Sequence, residues 1–63
     1  GYTRTAMTQR WIEKGVEPDI MNATPLKKVG MPDDIAKLVN FLCSDESDFM
    51  TGHVTYIDGG LGL

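Results

Sequence analysis

The sequence has one cysteine, Cys43, and one histidine, His53. A structural zinc site takes about four thiolate and imidazole ligands, so none is expected. A lone thiol also rules out an internal disulfide and fits a reducing compartment, with the cytoplasm as the expected location. Cations are scarce: 6 Lys and Arg stand against 9 Asp and Glu, for a net charge of −3. They are scattered, with Lys27-Lys28 the one adjacent pair, and without a basic patch no nucleic-acid partner is expected. No apolar run is long enough to span a membrane, and no basic n-region opens the chain. Neither a membrane contact nor a secretory signal is therefore expected.

What is present is the composition of an ordinary folded domain, 41% apolar and 24% charged. The chain is 63 residues long. At that length, with no disulfide or metal, apolar burial does not offset the entropy of ordering the backbone. The chain is expected to need a partner, a second copy or further sequence.

The stretch from Gly30 to Gly60 has the clearest pattern. Pro32 suits the first position of a helix, and Asp33 and Asp34 put negative charge where the helix dipole favours it. Ile35, Leu38, Val39 and Leu42 follow the i, i+3, i+4, i+7 spacing of an apolar face. Ala36, Phe41 and Cys43 widen that face, so the helix, read over 32–44, is expected to be buried on more than one side. Ser44 is expected to cap a short turn running to Phe49. His53-Val54-Thr55-Tyr56-Ile57 is rich in β-branched and aromatic residues and reads as a strand ended by Asp58-Gly59-Gly60. A lone strand leaves backbone groups unpaired on both edges, so it is expected to join a sheet supplied from elsewhere.

Upstream the pattern is weaker. Thr5 is expected to cap a helix from Ala6 to Gly15 with a narrow apolar stripe around Met7 and Trp11. Pro18 suits the start of a short helical turn over Asp19–Asn22. Thr24 is pushed to extended geometry by Pro25. Leu26 and Val29 are expected to anchor the polar connection that follows.

Taken together, T-P-L-K-K-V-G-M-P-D-D-I-A, then F-L-C-S, T-G, a strand and D-G-G resemble the C-terminal segment of short-chain dehydrogenases/reductases. G-Y-T-R-T-A-M-T is similar to that family's P-G-x-x-x-T-x-M stretch, entered after its proline. The order and spacing of these pieces make the resemblance specific, and it covers the whole chain. It implies an α/β architecture: the C-terminal piece of a Rossmann-type fold, two to three helices and one β-strand, not a complete autonomous domain. It also implies an oxidoreductase using NAD or NADP to move hydride between nicotinamide and a carbonyl or alcohol carbon. The family's catalytic Ser, Tyr and Lys have no counterpart here. Tyr2 is followed four residues on by Ala6, and Tyr56 by Gly60. The expectation is a segment that is inactive alone.

The resemblance also implies roles for particular residues. The backbone of Thr3 and the hydroxyl of Thr5 would contact the cofactor, with residues 1–23 serving as cofactor and substrate lid. Thr5 has a helix-cap role open to it as well. Met7, Trp11, Ile20 and Met21 would line the substrate lid; from spacing alone they read as packing between two short helices. Residues 24–63 would supply the helix and edge strand. The partners implied are the remainder of the enzyme chain, a small-molecule substrate, and further copies in a dimer or tetramer built through the 32–44 helix and the 53–57 strand. Other features read more simply. His53 is a surface side chain, Cys43 a buried inert thiol, and D-G-G a turn without the following helix that a phosphate loop needs. A small non-enzymatic interaction module, assembling through the same helix and strand, is the alternative that the missing catalytic group keeps open.

Overall fold

The computed structural model describes residues 1–62. Three helices follow in order, α1 (Gln9–Glu13), α2 (Glu17–Ala23) and α3 (Pro32–Leu42), and a single 3-10 turn spans Asp45–Ser47. The radius of gyration is 13.8 Å, against about 11 Å for a compact domain of this length. The chain is spread out, and Val29 is the one buried apolar side chain among the described residues.

α1 begins three residues later than the pattern predicts. Thr5 does not cap it: the Thr5 N–H donates to Thr8 Oγ1 at 2.8 Å. The Thr8 hydroxyl in turn donates to the Thr3 carbonyl at 2.9 Å. This local bonding offers the backbone an alternative to the helix, so residues 5–8 form a turn. Gly15 closes α1 by donating to Ile12 O at 3.0 Å. α2 is longer than expected and has Pro18 in its first turn with Glu17 and Asp19. Its end follows the expected logic: Thr24 is extended, with ψ 123°. The Thr24 hydroxyl donates to Ile20 O at 2.6 Å, a carbonyl that also accepts the Thr24 N–H at 3.0 Å, so both groups of Thr24 close the last turn.

α3 starts at Pro32 as predicted. Asp34 reaches back to accept from the Met31 N–H at 2.8 Å, the reciprocal half of a capping box. The helix stops at Leu42 instead of Ser44 because Ser44 turns extended and caps the next turn, accepting from Glu46 N at 3.2 Å. The expected burial is not found. No residue of α3 is buried, Val39 is 53% exposed, and Cys43 is exposed rather than sequestered. Among the described residues the 3-10 turn is the element that packs most on α3, and it leaves Ile35 and Leu38 only half-buried.

Three distant stretches meet at one crossing. Gly30 N donates to Tyr2 O at 3.0 Å and Arg4 N to Gly30 O at 2.8 Å, which makes an isolated parallel bridge between Thr3 and Gly30. Leu26 N donates to Gly59 O at 3.2 Å. The amino terminus donates to Ile57 O at 3.4 Å. Gly30 is needed for the close approach, since a Cβ there would lie 2.9 Å from Tyr2 O. Gly59 has φ +63°, and a Cβ would sit 2.7 Å from Thr24 Cγ2. Asp58 holds the final turn by accepting from Gly60 N at 2.9 Å and Gly62 N at 3.0 Å.

The predicted strand over His53–Ile57 is not formed, and no strand exists among the described residues. A ladder requires a run of paired backbone groups, and among the described residues the amino terminus on Ile57 O is the one backbone partner these residues gain. His53 is exposed, as expected, and so are Val54 and Tyr56.

Two predictions follow from the crossing. Gly59→Ala should destabilise the chain by about 2 kcal/mol, from the left-handed backbone and the clash with Thr24. Urea unfolding reads this, and a change below about 0.5 kcal/mol would contradict it. The Gly60 N–H, helped by that of Gly62, holds the Asp58 carboxyl below its usual pKa. Its stabilising contribution should therefore be complete above the unfolded value of about 3.9 and fade as pH falls through the lower folded value. Asp58→Asn should remove that slope, so a variant whose acid profile tracks the parent chain would refute the assignment.

Candidate functional site

Thr3 and Thr5 lie on one wall of an open groove of about 740 Å³ whose opposite wall is α3, through Pro32, Ile35 and Val39. The bridge to Gly30 sets the position of Thr3. Its carbonyl is already engaged by Thr8. Among the described residues its N–H has no acceptor. The Thr5 hydroxyl has one contact, 3.5 Å from Thr8 Oγ1, too long to be a strong bond. The groove wall thus presents a backbone donor and a hydroxyl beside an apolar face.

The four lid candidates are not brought together. Met7 is 85% exposed. Trp11 lies under the Lys14 ammonium, 5.5 Å from its ring centroid. Ile20 faces a separate cavity of about 220 Å³ with Tyr2, Val29 and Ile57. Met21 sits on another side of α2, near Pro18 and Lys27.

Sequence reasoning missed the side chains that position this segment. Arg4 Nε donates to Glu17 Oε2 at 3.2 Å, and Arg4 Nη2 pairs with Glu17 Oε1. The Tyr2 hydroxyl lies 3.5 Å from the same Oε2. Glu17 is 9% exposed. Its hydrogen bond and charge raise the pKa of the Arg4 guanidinium. Thirteen residues and a turn separate the two charges, so no periodic pattern links them. Thr8 was visible only as a third threonine beside Thr5. No group of three or more potential metal ligands occurs among the described residues.

Residues 1–62 match the profile of the family described as enoyl-(acyl carrier protein) reductase. The chain belongs to the short-chain dehydrogenase/reductase family. A 3-oxoacyl-(acyl-carrier-protein) reductase of Thermotoga maritima is 43% identical over 61 residues, covering 97% of this chain and 24% of that protein. The enzyme of the same description from Mycobacterium tuberculosis is 35% identical over 63 residues, all of this chain and 25% of its relative. A 2-dehydro-3-deoxy-D-gluconate 5-dehydrogenase of Formosa agariphila is 52% identical over 42 residues, 67% of this chain and 16% of that protein. No solved structure matches the chain. The chain spans about a quarter of the length of the first two relatives.

A backbone N–H and a hydroxyl beside an apolar wall can hold a planar group that carries polar atoms. A carboxamide oxygen needs a donor, which the Thr3 N–H offers, and the Thr5 hydroxyl can donate or accept. The neighbouring apolar wall suits a flat ring. Thr8→Val removes the hydroxyl that ties Thr3 to Thr5 while keeping the side-chain shape. It should cost about 1 kcal/mol and speed amide exchange at Thr5 by a factor of roughly five or more. Unchanged protection at Thr5 would show that Thr8 does not organise the segment.

Proposed function

We propose that this chain is the C-terminal part of an NAD(P)-dependent oxidoreductase acting on a carbonyl or alcohol substrate. The observation that carries the reading is the family match along residues 1–62. Thr3 and Thr5 hold the nicotinamide end of the cofactor through the Thr3 N–H and the Thr5 hydroxyl. NAD or NADP, when bound, supplies or accepts the hydride. The chain's own part is to orient the ring and to keep water from it, since a fixed ring face is what makes transfer efficient. Residues 1–23 form the lid, with Met7, Trp11, Ile20 and Met21 coming together over the substrate only when the lid closes. The catalytic proton donors come from the remainder of the enzyme chain.

Assembly follows from the uncovered apolar surface. Phe49 is fully exposed, and Val39, Leu42 and Tyr56 are also open to solvent. Burying each such side chain is worth roughly 1.5–3 kcal/mol, so covering them supports docking. The reading places residues 53–57 in a strand once a sheet neighbour is present. With α3 they form the contact with the remaining enzyme and with further copies, in a dimer or tetramer. The cytoplasm is the proposed location, supported by the single thiol. No helix among the described residues is long and apolar enough to cross a membrane.

The relatives' names divide between acyl thioesters and a sugar acid, so the test covers both. The polypeptide encoded by the whole gene is assayed with NADH and NADPH against 3-oxoacyl thioesters and keto-sugar acids. Nicotinamide oxidation with at least one of them is expected, and none from the purified chain of 63 residues. Turnover by that short chain, or a gene product with no affinity for either nucleotide, would overturn the reading.

A further inference from the structure

Arg4 is held twice. Its backbone N–H bonds Gly30 O at 2.8 Å, and its guanidinium forks onto the Glu17 carboxylate. Glu17 is the first residue of α2, and Arg4 stands between Thr3 and Thr5. The pair therefore joins two parts that the backbone connects only through α1 and its loops. An Arg–carboxylate fork is directional as well as attractive, so it fixes orientation and not only distance. Glu17 is nearly buried while the Arg4 side chain is 46% exposed. The carboxylate would be left without a charged partner if Arg4 swung away, and that is the expensive arrangement. The Tyr2 hydroxyl lies 3.5 Å from Glu17 Oε2, a weak third contact on the carboxylate. The remaining groups of this short segment are engaged locally, Thr3 through Gly1 and Thr8, and Thr5 through Thr8. Among the described residues, the hydrogen bonds from this segment to α2 all end on Glu17.

We propose that Arg4 and Glu17 form a positioning latch, which couples the placement of the Thr3–Thr5 wall to the seating of α2. This deepens the oxidoreductase reading and rests on it. Neither residue touches the reacting atoms. Their effect is to hold the donors of the groove wall in register, so that cofactor affinity depends on where the lid helix sits. Closing the lid and binding the cofactor then favour each other through one ion pair.

The test is a double-mutant cycle in the whole enzyme with Arg4→Gln, Glu17→Gln and the two combined. Each single change should raise the cofactor KM roughly tenfold, the consequence of about 1.4 kcal/mol. The double change should be no worse than either single one. kcat at saturating cofactor should stay within about twofold, a split that a general loss of structure would not give. Arg4→Lys should recover part of the affinity, since it keeps the charge and loses the fork. Cofactor KM unchanged in both single variants, additive losses, or kcat falling in step with melting temperature would each overturn the latch. A parent enzyme that binds neither nucleotide would instead overturn the functional reading on which the latch rests.

Discussion

The structure depends on a backbone crossing in which residues 1–4, 26–30 and 57–60 pass within hydrogen-bond reach of one another. The bonds are few, but they link segments at both ends of the chain to its middle. Each closes a long loop, whose entropic cost grows only slowly with length. The close approach is possible because glycine stands at two of the contact points, Gly30 against Tyr2 and Gly59 against Thr24. Side chains then secure what the backbone begins. Thr24 is 3% exposed beneath the last turn, and Asp58 ties that turn to its own N–H groups.

This crossing explains why motifs distant in sequence belong together. T-P-L and D-G-G read as separate signals, yet Leu26 donates to Gly59 and Thr24 packs on it. G-Y-T-R and V-G pair in the same way through Tyr2, Arg4 and Gly30. The spacing that marks the family is in part a list of the residues that must touch. The groove wall at Thr3 inherits its position from these contacts.

Legibility followed the range of the forces involved. Local rules worked where local chemistry decides: Pro32 opening α3, Pro25 extending Thr24, Ser44 capping the 3-10 turn. They failed at Thr5, where Thr8 competes for the same backbone from three residues away. Periodicity described the apolar face of α3 correctly but not its burial, because burial needs a second surface and the described residues supply only enough to half-bury Ile35 and Leu38. The strand reading of residues 53–57 has the same character, since β-branched composition gives a preference and only a neighbour makes a ladder. Of the site, Thr3 and Thr5 were named through the family resemblance alone, and both line one groove. The Arg4–Glu17 fork was not legible, because an ion pair across two turns leaves no repeat in the sequence.

The two ends of the proposed function thus rest on different physics. The groove wall is set from within, by hydrogen bonds among residues 1–8, Glu17 and Gly30, each closed inside this chain. The α3 face and residues 53–57 are held by few such contacts, since most of their side chains stand open to solvent. Such a division has a consequence for mechanism. Donors organised internally hold one geometry for as long as Glu17 keeps α2 seated, whereas an apolar face without cover accepts any surface that fits it. In the proposed function the two meet at α3, whose Pro32, Ile35 and Val39 line the same groove as Thr3 and Thr5, so a surface that covers α3 also shapes that groove.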